Sequence, residues 1–254
     1  MIEVRSLVKR YGDTTVLDCP DLTLDGAGVT ALVGANGAGK STLLTIAGRL
    51  LEPTSGTVLV DGHDVTTAPS RELAARVAIL RQENNLAVRL TVRELVEFGR
   101  FPYSQGRLTD DDHRLVDRAL DTLELHEFAA RRLDELSGGQ RQRAFIAAVV
   151  AQDTDHVLLD EPLNNLDLRH AAQSMAMIRR LADEFGKTVV VVLHDINVAA
   201  HHADRIVAMR SGRVVADGEP STVIDEPTMR EVFGLDVEVT EHHGRPVVLH
   251  FLAS

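Results

Sequence analysis

The chain holds a single cysteine, Cys19, among its 254 residues. That excludes a disulfide framework and a cysteine metal cluster. Positive charge is scarce too. There are 27 Lys and Arg against 38 Asp and Glu, a formal net charge of −11. A main partner made of nucleic acid would need basic patches, so the balance argues against that class. Long apolar runs are also missing. The longest covers residues 144–151, far too short to cross a bilayer. Residues 1–11 carry charges throughout and offer no apolar targeting core. The expectation is a soluble, cytoplasmic chain whose membrane role, if any, needs another subunit. Apolar residues make up 44% of the sequence, enough to bury a core in one large domain or a domain with an inserted lobe.

What is present centres on Gly34-Ala35-Asn36-Gly37-Ala38-Gly39-Lys40-Ser41-Thr42. This is the P-loop spacing G-x-x-x-x-G-K-[ST]. Residues 29–33 before it read as a buried strand, and residues 42–50 after it as a helix with one apolar face. The glycines let the backbone wrap close to phosphate oxygens, where a Cβ would clash. Amides at the helix start donate to an anion and add a favourable dipole. Lys40 supplies charge for the terminal phosphates, and the Ser41 hydroxyl suits Mg²⁺. A glycine turn with a chance Lys-Ser is the plainer reading. The strand–loop–helix context favours a nucleoside triphosphate instead.

Residues 2–8 alternate as a strand does, with further short strands at 16–17, 22–24 and 56–60, the last closed by Asp61-Gly62. Ser70 suits the N-cap of a short helix through Ala75, and residues 77–80 form a buried strand. Thr91-Val92-Arg93-Glu94 is a capping box for a helix to Phe98. Residues 100–107 read as a loop by their Pro and Gly. Asp110 to Asp112 suit the start of a helix running to about Leu125. With no strand among them, these helices look like a lobe inserted into an α/β core. Leu136-Ser137-Gly138-Gly139-Gln140 then opens an apolar helix to Ala151, a second place where amides at a helix start could hold an anion. Residues 156–161 form a buried strand ending in Asp160 and Glu161, at the carboxyl edge where α/β sheets bind ligands. A helix to about Phe185, ended by Gly186, precedes the β-branched strand 188–193 and His194-Asp195. A hairpin follows at 205–217, a short helix at 228–233 and closing strands at 235–251. The pairs His201-His202 and His242-His243 suggest a metal, but neighbouring residues face different ways and no matching ligand accompanies them. They read as surface histidines.

In this order and spacing the motifs resemble the ABC-transporter ATPase family along the whole chain. The resemblance implies an α/β P-loop NTPase core with an N-terminal antiparallel β subdomain and an inserted α-helical subdomain. Residues 1–82 and 152–254 would form the nucleotide-binding core, and roughly 83–151 the helical signature subdomain. It implies ATP and Mg²⁺ as ligands. Tyr11 would stack on adenine, and Gly34 to Thr42 would hold phosphate. Ser41, Gln82 and Asp160 would serve Mg²⁺, with Gln82 also reaching the attacking water. Glu161 would act as general base or water-positioning group, and His194 would contact the γ-phosphate beside Lys40. Ser137, Gly138, Gly139 and Gln140 match the signature and Asp167 the D-loop. Both would act across a head-to-tail homodimer. Leu163 stands where most members have Thr, which leaves the D-loop contacts open.

The likeness is closest to ATPase subunits of iron–siderophore importers. It is carried by Phe101-Pro102-Tyr103, the Ala-Gln-Asp-Thr-Asp stretch at 151–155, Val-Leu-His-Asp-Ile-Asn at 192–197 and the short tail. Leu163-Asn164-Asn165-Leu166-Asp167 is similar to the catecholate-siderophore type in particular. The implied partners are integral-membrane permease subunits and, indirectly, a substrate-binding protein. The implied location is the cytoplasmic face of the membrane. Haem and cobalamin importers have similar ATPases, so they stay open. A soluble ABC ATPase is the competing class. The acidic charge and the lack of a coiled-coil insertion argue against DNA repair. Arg141-Gln142-Arg143 after the signature argues against iron–sulfur assembly.

Overall fold

A computed structural model describes residues 1–81, 89–164 and 166–250. Three strands come first: β1 (Ile2–Tyr11), β2 (Thr14–Cys19) and β3 (Leu22–Leu24). Strand β4 (Gly28–Val33) runs through the glycine loop into helix α1 (Lys40–Ala47). Next come β5 (Ser55–Val60), β6 (His63–Asp64), α2 (Ser70–Ala74) and β7 (Val77–Leu80). A helical stretch follows, with α3 (Val92–Phe98), α4 (Phe101–Ser104), α5 (Asp110–Thr122) and α6 (Gly138–Ala151). The chain returns through β8 (His156–Asp160), α7 (Leu168–Asp183), β9 (Thr188–Val192) and α8 (Ile196–His202). It closes with β10 (Arg205–Arg210), β11 (Arg213–Gly218), α9 (Pro220–Val223), α10 (Glu226–Phe233), β12 (Glu238–His242) and β13 (Arg245–Leu249).

Two sheets carry the fold. In the antiparallel one β1 pairs with β2, β3 and β5, and β6 extends β5. The other has the order β11-β10-β4-β9-β8-β7 and is parallel from β10 to β7. Every residue of β8 and β9 is buried, as expected of a parallel sheet covered on both faces. The two-residue period divides the core. Val157, Leu159, Val189 and Val191 face the helical side, with Val96, Val116 and Ile146. Leu158, Val190 and Val192 face α1 and the antiparallel sheet, with Leu43, Leu44 and Ile2. This is a P-loop α/β core with an antiparallel subdomain on one face and an inserted helical subdomain on the other.

Some element bounds differ from the sequence reading. Helix α1 begins at Lys40 and stops at Ala47, with Gly48 as its C-cap. Pro69 takes the N-cap of α2, and Ser70 is already helical. The expected loop at 100–107 contains α4, because a proline in the first turn removes only an amide that has no helical partner there. Helix α5 ends at Thr122 and α7 at Asp183, each shorter than the apolar pattern implied. Thr91 caps α3 through the expected capping box.

A buried ion pair ties the helical subdomain together. Arg100 Nε donates to Asp112 Oδ1 at 2.8 Å, and both residues are buried. Arg100 Nη1 also donates to the carbonyls of Ala151 and Gln152, at 2.9 and 3.1 Å, which caps the end of α6. The second Asp112 oxygen accepts from the Thr109 amide and hydroxyl. One guanidinium thus joins α4, α5 and α6. Arg100→Met should lower the nucleotide-free unfolding free energy by about 3 kcal/mol, the scale for breaking a buried pair. Arg114→Met removes the exposed Arg114–Asp111 pair and should cost less than about 1 kcal/mol. Urea unfolding followed by circular dichroism checks both, and equal small losses would contradict the buried tie.

Candidate functional site

The strand order β4-β9-β8 brings three chain segments to one edge. Leu32, Val192 and Asp160 lie in one row across the sheet, so the glycine loop, His194 and the Asp160-Glu161 pair emerge side by side. The loop fits only glycine at its first position. Gly34 has φ +145°, and a Cβ there would lie 2.1 Å from the Met209 carbonyl oxygen. Gly39, also left-handed at φ 97°, is the N-cap of α1, and no side chain caps that helix. Its first-turn amides are therefore available to an anion.

The charged groups are held close. Lys40 is 4% exposed and donates to the carbonyls of Gly34 at 2.8 Å and Ala35 at 3.0 Å. Burial pushes its pKa down, against the pull of the Glu161 and Asp160 carboxylates. Ser41 Oγ donates to Asp160 Oδ1 at 2.8 Å. Burial, with the nearby Glu161 charge, raises the Asp160 carboxyl, while the Ser41 bond and Lys40 oppose the shift. Glu161 has φ +50°, a strained conformation for a non-glycine residue. His194 Nε2 lies 2.6 Å from Glu161 Oε1, and Asn164 Nδ2 donates to Glu161 Oε2. The strained backbone thus carries a carboxylate with both oxygens engaged.

These groups surround a cleft of about 570 Å³ lined by Val16, residues 36–42, Glu161, Asn164 and His194. It suits a ligand rich in phosphate, with amides, a lysine and a serine at one end. An apolar cavity of about 380 Å³ shares His194 but has no loop donors, so it does not suit phosphates. The Ser41–Asp160 pair offers hard oxygen donors of the kind Mg²⁺ takes.

Of the residues singled out from the sequence, Asn36 to Thr42, Asp160, Glu161 and His194 meet here. Gly34 and Ala35 form the base of the loop. Tyr11, at the end of β1, is 56% exposed and does not line the cleft. The wall on that side is Val16, on the strand paired with β1. The β1–β2 hairpin was the available signal for it. Asn164 was also missed; its signal was a turn residue three beyond Glu161, whose carbonyl accepts the Asn164 amide at 3.2 Å. Gln82 lies outside the described residues.

The signature does not join the cleft. Ser137 caps α6 through a reciprocal box with Gln140. Gly138 faces open space, and none of residues 137–140 lines the cleft. Asp167 caps α7, and the His170 amide, followed by the His170 ring, holds its carboxyl below the ordinary range. Among the histidine pairs, His202 is half-buried rather than a surface residue, and burial lowers its pKa.

Such a fold and cleft define a P-loop ATPase. Residues 17–164 match the ABC transporter family, and the chain belongs to that family. It is 45% identical over 251 residues to the petrobactin import ATP-binding protein YclP of Bacillus subtilis, covering 99% of this chain and 100% of that one. It is 40% identical over 240 residues to the achromobactin transport ATP-binding protein CbrD of Dickeya dadantii, covering 94% and 89%. It is 40% identical over 257 residues to the hemin import ATP-binding protein HmuV of Bradyrhizobium diazoefficiens, covering 98% and 94%. Among solved structures, the dimeric structure of a bacterial ABC transporter cassette matches with a TM-score of 0.77 and 33% identity, over 86% of this chain and 98% of that one. A post-hydrolysis state of the same cassette bound to ADP and Pi matches at 0.76 and 32%, over the same shares. No helix among the described residues is long and apolar enough to cross a membrane.

Proposed function

We propose that this chain is the ATP-hydrolysing subunit of an importer for iron–siderophore complexes, working at the cytoplasmic face of the membrane with separate permease subunits and, indirectly, a substrate-binding protein. The cargo class is drawn from the relatives that import petrobactin and achromobactin. The hemin relative makes haem the alternative cargo. Residues 1–82 and 152–254 hold the nucleotide, and 83–151 carry the signature.

One observation supports the working mode: the signature at the start of α6 lies outside the cleft that the P-loop lines. Two chains packed head to tail would give each cleft the other's signature, in keeping with the dimeric form of the similar cassette. The P-loop amides and Lys40 hold the β- and γ-phosphates. Ser41, Asp160 and Gln82 would hold Mg²⁺, which supplies charge neutralisation across those phosphates. Tyr11 is assigned to the adenine ring, beside Val16. Glu161, with its oxygens oriented by His194 and Asn164, takes the proton of the attacking water. His194 also senses the γ-phosphate. Ser137, Gly138, Gly139 and Gln140 close over the partner's nucleotide, with Asp167 at the same interface. Hydrolysis and phosphate loss remove the anion that joins the two chains, so the pair opens and moves the attached permease.

Glu161→Gln should leave ATP affinity unchanged and cut turnover at least about a hundredfold, the scale of general-base catalysis. Equilibrium ATP binding and phosphate release from the purified assembly check this, and near-normal turnover would remove Glu161 from the role. Cargo is tested with the chain co-purified with its permease in vesicles. A ferric siderophore on its binding protein should stimulate hydrolysis more than haem does. An isolated chain that hydrolyses ATP as fast as the loaded assembly would favour the soluble-ATPase reading instead.

A further inference from the structure

Gly139 in the signature is buried by a side chain from another part of the same chain. A Cβ on Gly139 would lie 2.7 Å from His170 Cδ2, 2.9 Å from Cγ and 3.3 Å from Cβ. The imidazole of His170, in the first turn of α7, therefore occupies the space a signature side chain would need. The ring is bonded on its other side as well. Nδ1 lies 2.7 Å from Asp167 Oδ1, and that same oxygen accepts the His170 amide at 2.9 Å. Asp167 ends the segment that starts at Glu161. Within that segment Asn164 N donates to the Glu161 carbonyl and Leu166 N to the Leu163 carbonyl, each at 3.2 Å. The Asn164 side chain joins it to the Glu161 carboxylate.

We propose that His170 is a positioning residue that couples the two halves of the machine within one chain. It links the Glu161 turn, which borders this chain's own nucleotide, to the signature backbone, which serves the partner's nucleotide. The inference rests on the trans reading of the signature given above. The physical basis is that the Glu161–Asp167 segment and the start of α6 share one ring, wedged against a residue with no side chain to yield. A shift of Asp167 then carries the ring, and the ring bears on Gly139. The cap of α7 is separable from this link. It is made by the His170 backbone amide, which survives any substitution other than proline, while the link is made by the ring alone.

The contact is tested first without nucleotide. Gly139→Ala should lower the melting temperature, and adding His170→Ala should restore it, because the smaller side chain frees the space. Losses that simply add in the double variant would overturn the contact. Coupling is tested by light scattering in a Glu161→Gln background, as dimer formed against ATP concentration. His170→Ala should raise the concentration for half-maximal dimer about tenfold, within the range for contacting groups in one network. ATP binding to the monomer should not change. His170→Phe keeps a ring against Gly139 but cannot bond Asp167. It should keep the melting temperature and dimerise as poorly as the alanine variant. If His170→Phe dimerises like the parent, the residue only packs and the coupling is wrong. If the Glu161→Gln parent forms no dimer with ATP, the trans reading fails and the coupling with it, while the melting cycle still decides the Gly139–His170 contact.

Discussion

Strands β4, β9 and β8 lie side by side in the middle of the parallel sheet, and their interior positions are buried on both faces. The rest of the site depends on that adjacency. Strands with two apolar faces cannot lie at a surface, so one side of the sheet must be covered by helices and the other by α1 and the antiparallel sheet. Parallel direction then brings three successive strand ends to one edge. The glycine loop, the acidic pair and His194 come from positions more than 30 residues apart in sequence, yet one row of the sheet aligns Leu32, Val192 and Asp160. A one-residue slip in register would turn each of these side chains to the opposite face.

The edge holds groups that no core would keep for stability alone. Lys40 and Asp160 are both buried, and burial shifts each toward its neutral form. Glu161 sits in left-handed backbone that costs about 1–3 kcal/mol in a non-glycine residue. The surrounding structure fixes each of them: loop carbonyls on Lys40, the Ser41 hydroxyl on Asp160, His194 and Asn164 on Glu161. Polar groups fixed in this way leave little reorganisation to the chemical step. The helical subdomain is held by a different device, the Arg100–Asp112 pair, which joins its helices far along the chain from the signature.

The parts legible in the sequence were those written as local patterns. The P-loop spacing, the alternating and β-branched strands, and the capping box at Thr91 are short-range signals, and the elements they mark are present with bounds that differ by a few residues. The parts that were not legible depend on contacts between distant segments. Val16 lines the cleft because β2 passes over the glycine loop, where its carbonyl oxygen would lie 3.0 Å from a Cβ on Gly39, whereas its sequence neighbours read only as a short strand. Helix α4 hid behind a proline whose place in the first turn could not be read without the helix start. The ion pair of Arg100 spans 12 residues and its cap on α6 spans 51, so neither carries a local signature. His170 packs against Gly139 from a different helix, and a glycine in a signature motif gives no hint of what fills the space beside it.

The central claim is that each nucleotide site is shared between two chains, and mixing two differently damaged chains tests it most directly. Ser137→Arg damages the signature and leaves the P-loop intact, while Lys40→Ala does the reverse. Neither variant should form a stable ATP-dependent dimer alone. Mixed together, they can assemble one intact site per dimer, from the P-loop of one chain and the signature of the other. Analytical ultracentrifugation of the mixture with ATP should show part of the dimer return. No dimer on mixing, or loss of ATP binding by the isolated Ser137→Arg monomer, would contradict the shared site and place the signature in cis.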